Sequence, residues 1–292
     1  RTVAGIPMIF HEIETNGIGY LDLLFDMSGV PEELLPYVGI LQAVLGVIDT
    51  THYEYGELFN EINVHTGGIG TSLELYPDVT KVKEKEFKAT FEIKAKALYE
   101  KLSVAFDMMG EILTESKLED EKRLLEILQM LKSRLLMRFQ SAGHTTAVLR
   151  SLAYTSPSAR LKDLTSGIEF YRVVARITEH FEEEKEDLIR KLKSLAVRLF
   201  RAEGMMISYT ASRDGLDGLE DFVDSMKRRL FTDSVEEAVC ILHCEKKNEG
   251  FKTASKVQYV ARSGNFIDGG AQYSGALQIL KVILSYEYLW QN

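Results

Sequence analysis

Cysteine is nearly missing from this chain: Cys240 and Cys244 are the only two among 292 residues. A disulfide-built scaffold is therefore excluded, and any stable core has to come from apolar packing. Five prolines and a 45% hydrophobic composition rule out collagen-like and disordered classes. No apolar run reaches bilayer length, and the opening RTVAGIPMIFHEIETNG has neither a basic leader with an apolar core nor a small-residue cleavage pattern. Positive charge is in deficit as well. A formal net charge of −9 disfavours nonspecific nucleic-acid binding.

The common catalytic motifs are absent too. The sequence contains no P-loop, dinucleotide fingerprint, nucleophile elbow or zinc-binding histidine pair on one helical turn. Its nearest glycine-rich stretch, TGGIG at Thr66 to Gly70, follows a helix pattern and precedes a strand pattern, the reverse of a phosphate loop, so it reads as a turn. Ser212, Asp214 and the scattered histidines make no triad. Cys240, His243 and Cys244 fall within five residues and cannot all face a tetrahedral metal without unusual backbone, so they read as core residues. Glu182 to Asp187, with His180 at the edge, reads as a solvated helix face, and His65 as a capping or satisfied polar histidine. The expected catalytic, cofactor-binding and metal residues are therefore none.

What is present is a change of period. In Gly56 to Tyr76, Leu58, Phe59 and Ile62 form a helical stripe, Gly67 and Gly68 end it, and Ile69, Thr71, Leu73 and Leu75 then alternate as a strand with one buried face. Gly17 to Asp26 predicts a strand with Leu21, Leu23 and Phe25 inward, and Val30 to Thr50 a buried helix. Phe87 to Ala95 alternates Phe87, Ala89, Phe91 and Ile93 against Lys88, Thr90, Glu92 and Lys94, which predicts one packed and one wet face. The charged KVKEKE segment between these strands reads as a solvent loop or hairpin arm. Leu98 to Leu113, Leu124 to Phe139 and Phe181 to Leu199 carry helical stripes, so 118–201 is a helical excursion. Met205 to Thr210 predicts a strand that returns to the sheet, with Asp217 as a cap before the stripe Leu219, Phe222, Val223, Met226 and Leu230. Cys240 to Cys244 and Lys256 to Ala261 are further strand candidates with KKNEG as their turn. Tyr273, Leu277, Leu280, Leu284 and Tyr288 form a last stripe, whose leucines are expected to be buried within the chain, the alternative being a concentration-dependent dimer.

Three ordered segments, FHEIETNGIGYLDLLFDMSGVPEELLPYVGIL, YGELFNEINVHTGGI and YVARSGNFIDGGAQYSGALQILKVILSYEYLWQN, resemble the second half of presequence-protease-like members of the pitrilysin and insulinase zinc metallopeptidases. The resemblance implies an α+β fold of repeated two-layer modules, each an antiparallel or mixed sheet packed with helices, within a four-module clamshell around an unfolded peptide. Gly17 to Leu41 and Gly56 to Gly68 resemble the opening of the third module, and Asn265 to Asn292 the start of the fourth. The expected division is 1–232, with the excursion at 118–201, and 233–292 as a truncated module. Both ends look cut. The family's zinc and general-base glutamate are expected in a first module outside this chain, and its arginine, glycine pair and tyrosine beyond Asn292.

The resemblance thus implies a noncatalytic part of a zinc-dependent peptidase chamber, with no cofactor of its own. Its expected partners are the N-terminal catalytic half of the same parent chain and an unfolded peptide, with no nucleic acid and no membrane. A soluble protein is expected, cytoplasmic in a bacterium or organellar in a eukaryote. The alternative is a noncatalytic interaction protein that uses the helical excursion.

Overall fold

In the computed structural model the described residues are 1–78, 80–81, 85–236, 238–253 and 257–288. The chain opens with β1 (Thr2–Val3), β2 (Ile6–Glu12) and β3 (Ile18–Asp26), then α1 (Leu35–Val44) and α2 (Tyr55–His65). The hairpin of β4 (Ile69–Pro77) and β5 (Phe87–Leu98) follows, then α3 (Leu102–Thr114). Five helices make the excursion: α4 (Glu121–Ser141), α5 (Gly143–Leu152), α6 (Pro157–Ser166), α7 (Ile168–Glu179) and α8 (Phe181–Leu199). After β6 (Met205–Ala211) and α9 (Leu219–Arg229), a long strap without helix or strand among its described residues leads to α10 (Ala276–Ile283), which continues as a π-turn over Leu284–Tyr288.

The strands form one mixed sheet in the order β1-β2-β6-β3-β5-β4. Among them only β2 and β6 run parallel; the other pairs are antiparallel. In register, Met8, Ile207, Leu23, Ile93 and Thr71 stand side by side, as do Phe25, Phe91 and Leu73. Alternation thus sends one apolar row per strand to the same face. The returning strand expected at Met205 to Thr210 does pair with β3.

Helices cover that face. Almost every side of α1 is buried, as expected of a helix apolar all round, and it touches α4, α6, α7 and α8. A Cβ on Gly39 would stand 2.5 Å from the carbonyl oxygen of Thr165, so only glycine lets α6 approach this closely. Leu124, Leu128, Leu131, Phe181, Leu188 and Leu195 join Leu23 and Phe91 in one core. Phe200 closes it edge-on to Phe25 and Phe91, with centroids 5.3 and 5.2 Å away. Local chemistry sets the breaks: the Asp120 side chain accepts from Arg123 N–H at the start of α4, and Ser156 caps α6 with Pro157 at its first position.

Several expectations are corrected. The predicted helix over Val30 to Thr50 is regular only over α1, because Gly46, at φ +83°, turns the chain out of it. Phe59 is 63% exposed, since α2 turns Leu58 and Ile62 inward and nothing covers its next face. Asp217 does not cap α9; Gly218, at φ +73°, is the cap residue and no side chain bonds there. No strand occurs in 240–244 or 257–261, because no neighbouring strand supplies a ladder; Lys256 lies outside the described residues, as do 82–84 of KVKEKE. On α10 Leu277 is only half-buried, and Leu280 and Leu284 are 46% and 39% exposed, because no core element packs against that stripe. The side chain of Tyr288 and residues 289–292 fall outside the described set.

Candidate functional site

Among the described residues no helix row covers the other face of the sheet, and its chemistry follows from register. Asp22 pairs with Lys94, Leu24 with Glu92 and Ser72 with Glu92, so carboxylates from three strands gather around one lysine. Lys94 Nζ lies 2.9 Å from Glu92 Oε2 and 3.8 Å from Glu74 Oε1. Glu92 is only 1% exposed, contrary to the wet face expected for it. Thr90 Oγ1 and Tyr76 Oη donate to its Oε1 at 2.7 and 2.6 Å, which supplies the partners a buried carboxylate requires. Ser72 Oγ, also buried, has no hydrogen-bond partner among the described residues.

The electrostatics follow from this crowding. Burial pushes the Asp22 carboxyl above its ordinary range, with Lys94 opposing and Glu92 and Glu74 reinforcing. Burial works against the charge on Lys94, yet the hydrogen bond and charge of Glu92 hold its pKa above the usual value. Burial and the bond to Glu92 likewise raise the Tyr76 phenol. Around this knot Ile9, Tyr20 and Lys96 are exposed, so the surface mixes aromatic, aliphatic and charged contacts.

A second buried carboxylate holds the fold together. Glu111 on α3 accepts from His52 N–H at 3.1 Å and from Arg229 Nη2 at 2.9 Å, joining the loop before α2 to α9. Burial would raise its pKa, but the bonds from Thr50 and His52 outweigh that and lower it. Two clefts border the strap. One of about 450 Å³ lies between Glu32, Pro36, Arg160, Val239 and His243. The other, of about 370 Å³, lies beside Pro77, Lys85, Pro157 and Tyr273.

The residues weighed in the sequence are dispersed. His65 pairs with Glu61 one turn back at 3.3 Å. Glu182, Glu184 and Asp187 pair with Lys185, Arg176 and Lys191 as a solvated face. Cys240 is half-buried, but Cys244 is exposed, because the strap passes over the surface there and does not enter the core. His243 places its Nδ1 3.0 Å from Glu32. Among the described residues no group of three His, Cys, Asp or Glu side chains is placed to hold a metal ion, and no helix is long and apolar enough to cross a membrane. Asp22, Tyr76 and Glu92 were missed as a group. Their signal was a polar residue at matching positions of three strand patterns, which means little until the register is known.

A helix-backed mixed sheet with a polar open face defines an α+β module. In fold it is similar to the peptidase M16 inactive domain from Pseudomonas fluorescens, with a TM-score of 0.52 at 15% identity, covering 82% of this chain and 52% of that one. A conserved protein from Enterococcus faecalis V583 gives a TM-score of 0.53 at 11% identity, over 76% and 50%. Residues 1–177 match the family of domains associated with subfamily C of the M16 peptidases, and the chain belongs to that family. It is 32% identical over 290 residues to Protein HypA of Clostridium perfringens, covering 99% of this chain and 29% of that protein. It is 22% identical to presequence protease 1, chloroplastic/mitochondrial, of Arabidopsis thaliana, covering 99% and 27%. The chain thus spans less than a third of the length of these relatives, and the resemblance to presequence-protease-like M16 peptidases is borne out.

Proposed function

We propose that this chain forms part of the wall of a peptide-enclosing chamber in a zinc-dependent peptidase, paired with the catalytic half of the same parent chain. The observation that carries the reading is the open sheet face, where exposed Tyr20, Ile9 and Lys96 surround buried Glu92 and its half-exposed partner Lys94 on a helix-backed support. Such a face contacts a flexible peptide away from the bond being cut, and remote binding of this kind limits where substrate and water go. The zinc that the family implies finds no fitting donor set among the described residues, so no hydrolytic step is assigned to them. We also propose 1–232 and 233–292 as the two units of the chain, the first containing the excursion at 118–201.

Site-specific photo-crosslinking tests the reading in the assembled peptidase, with a flexible peptide held by a catalytically inactive partner half. Crosslinkers at Tyr20 and Lys96 are expected to capture peptide, and one at exposed Lys193 on the helical side is not. Capture at Lys193 equal to that at the sheet face would sink the proposal. The chain alone is expected to show no chelator-sensitive peptide hydrolysis.

A further inference from the structure

The strap between α9 and α10 lies across the helical excursion. Its backbone joins the sheet module where Cys240 N–H donates to Ser28 O, and beyond that point side chains anchor it. His243 meets Glu32, Ser263 meets Ser151 at 2.7 Å, and Asp268 meets Lys85 at 2.9 Å. The most elaborate anchor is at Arg150 on α5, which is buried. Its Nη1 pairs at 2.6 Å with Asp163, a fully buried residue of α6 whose other oxygen accepts Ile168 N–H at the start of α7. Its Nη2 also reaches Glu169 at 2.8 Å. The remaining guanidinium edge faces the strap. There Nε and Nη2 grip both oxygens of Glu249 at 2.7 and 3.0 Å, and Tyr154 Oη donates to the same carboxylate at 2.5 Å. Two residues on, the Phe251 ring meets two guanidinium groups, with Arg150 6.0 Å and Arg172 5.5 Å from its centroid.

We propose that Arg150, Tyr154 and Arg172 form a receptor on the helical excursion for an acidic-x-aromatic peptide segment, filled in this chain by Glu249-Gly250-Phe251. The receptor is organised without the strap. Asp163 and Glu169 belong to the helices and hold Arg150 in place, so its outward fork is ready for a planar carboxylate, the partner that a guanidinium binds through two parallel bonds. The aromatic requirement comes from the paired cations, which attract the face of a ring. The middle residue is not read: a Cβ on Gly250 meets nothing within 4 Å. Recognition therefore rests on residues one and three of the segment, and the strap is a bound peptide that happens to be covalently attached. Its attachment gives it a high effective concentration, so a free peptide competes poorly until the site is emptied.

Limited cleavage of the full chain by trypsin tests this first. In Glu249→Gln and in Phe251→Ala, cleavage after Lys246, Lys247 and Lys252 is expected to be about tenfold faster or more, given the worth of a charge-assisted bond. Gly250→Ala is expected to leave it unchanged, and β5 is expected to stay uncleaved in all three. A labelled peptide of sequence EKKNEGFKT is then added to the chain carrying both Glu249→Gln and Phe251→Ala, and binding is read by fluorescence anisotropy. Tight binding that weakens about tenfold when the peptide's second glutamate becomes glutamine, or its phenylalanine alanine, supports the receptor. Unchanged cleavage of the strap, cleavage that spreads into the sheet, or equal binding of all three peptides would each overturn it.

Discussion

Tyr76 Oη lies 2.6 Å from Glu92 Oε1, so an edge-strand tyrosine roofs a carboxylate on the neighbouring strand and removes it from water. Without that hydroxyl, Glu92 keeps Thr90 and Lys94 as its partners among the described residues. Tyr76→Phe is expected to destabilise the chain by about 1 to 3 kcal/mol, the cost of leaving a buried acceptor short of a bond. Urea unfolding with an unchanged m-value reads this directly, and a loss below about 0.3 kcal/mol would place Glu92 in contact with water.

Glu249 supplies a pH dependence with a defined sign. The hydrogen bond from Arg150, with Tyr154 and the charge of Arg172 assisting against burial, brings its pKa down to about 2. A depressed carboxyl pKa contributes stability that is complete above the unfolded value near 4.5 and is lost as pH falls through the folded one. The groups facing it are Arg150, Arg172, Tyr154, Asp163 and Glu169. The urea-unfolding free energy of the native chain is expected to exceed that of Glu249→Gln by a constant margin down to about pH 4.5 and to converge with it by about pH 2. A margin that persists at pH 2 contradicts the assignment.

Gly39→Ala reverses the usual helical preference for alanine. The new methyl would meet Thr165 O at 2.5 Å and the Phe170 ring at 2.7 Å, and crowding of this kind costs about 1 to 3 kcal/mol. Thermal unfolding should show a lower midpoint; a rise would mean that α6 and α7 yield without cost.

Leu128 lies in the seam between the excursion and the rest of the core and is fully buried. Leu128→Ala is expected to cost about 2 to 5 kcal/mol through lost burial and the cavity left behind. Denaturant titration that finds less than about 0.5 kcal/mol would move Leu128 to the surface.

Legibility in the sequence followed the dimensionality of each feature. β3, β5 and β6 were readable because Leu21, Leu23 and Phe25, or Ile207 and Tyr209, announce a buried face within their own segments. The excursion stripes from Leu124 and Leu188 were readable for the same reason. β2 escaped notice: Ile6, Met8 and Phe10 point inward, but Pro7 and apolar Ile9 between them blur the alternation. The site around Glu92 was unreadable because burial there comes from neighbours on other strands, which only the register identifies. The α10 stripe shows the opposite failure. Its helical period was correctly read, but a period states which face would be buried and says nothing about whether anything lies opposite, and Leu280 and Leu284 remain exposed.

The placement of β6 between β2 and β3 has a consequence for how the chain is made. As residues leave the ribosome in order, β3, β4 and β5 can pair at once, but the far edge of β3 waits for residues that follow the whole helical excursion. Through that interval the sheet presents the backbone of Tyr20 to Phe25 unpaired, with β2 lacking its neighbour as well. A partly synthesised chain is therefore sticky along that open edge, and its folding is paced by a loop closure spanning most of the domain. Arrival of Met205–Ala211 stitches both strands in one step, so the last strand inserted is the one that converts a nascent, aggregation-prone half-sheet into a closed structural unit.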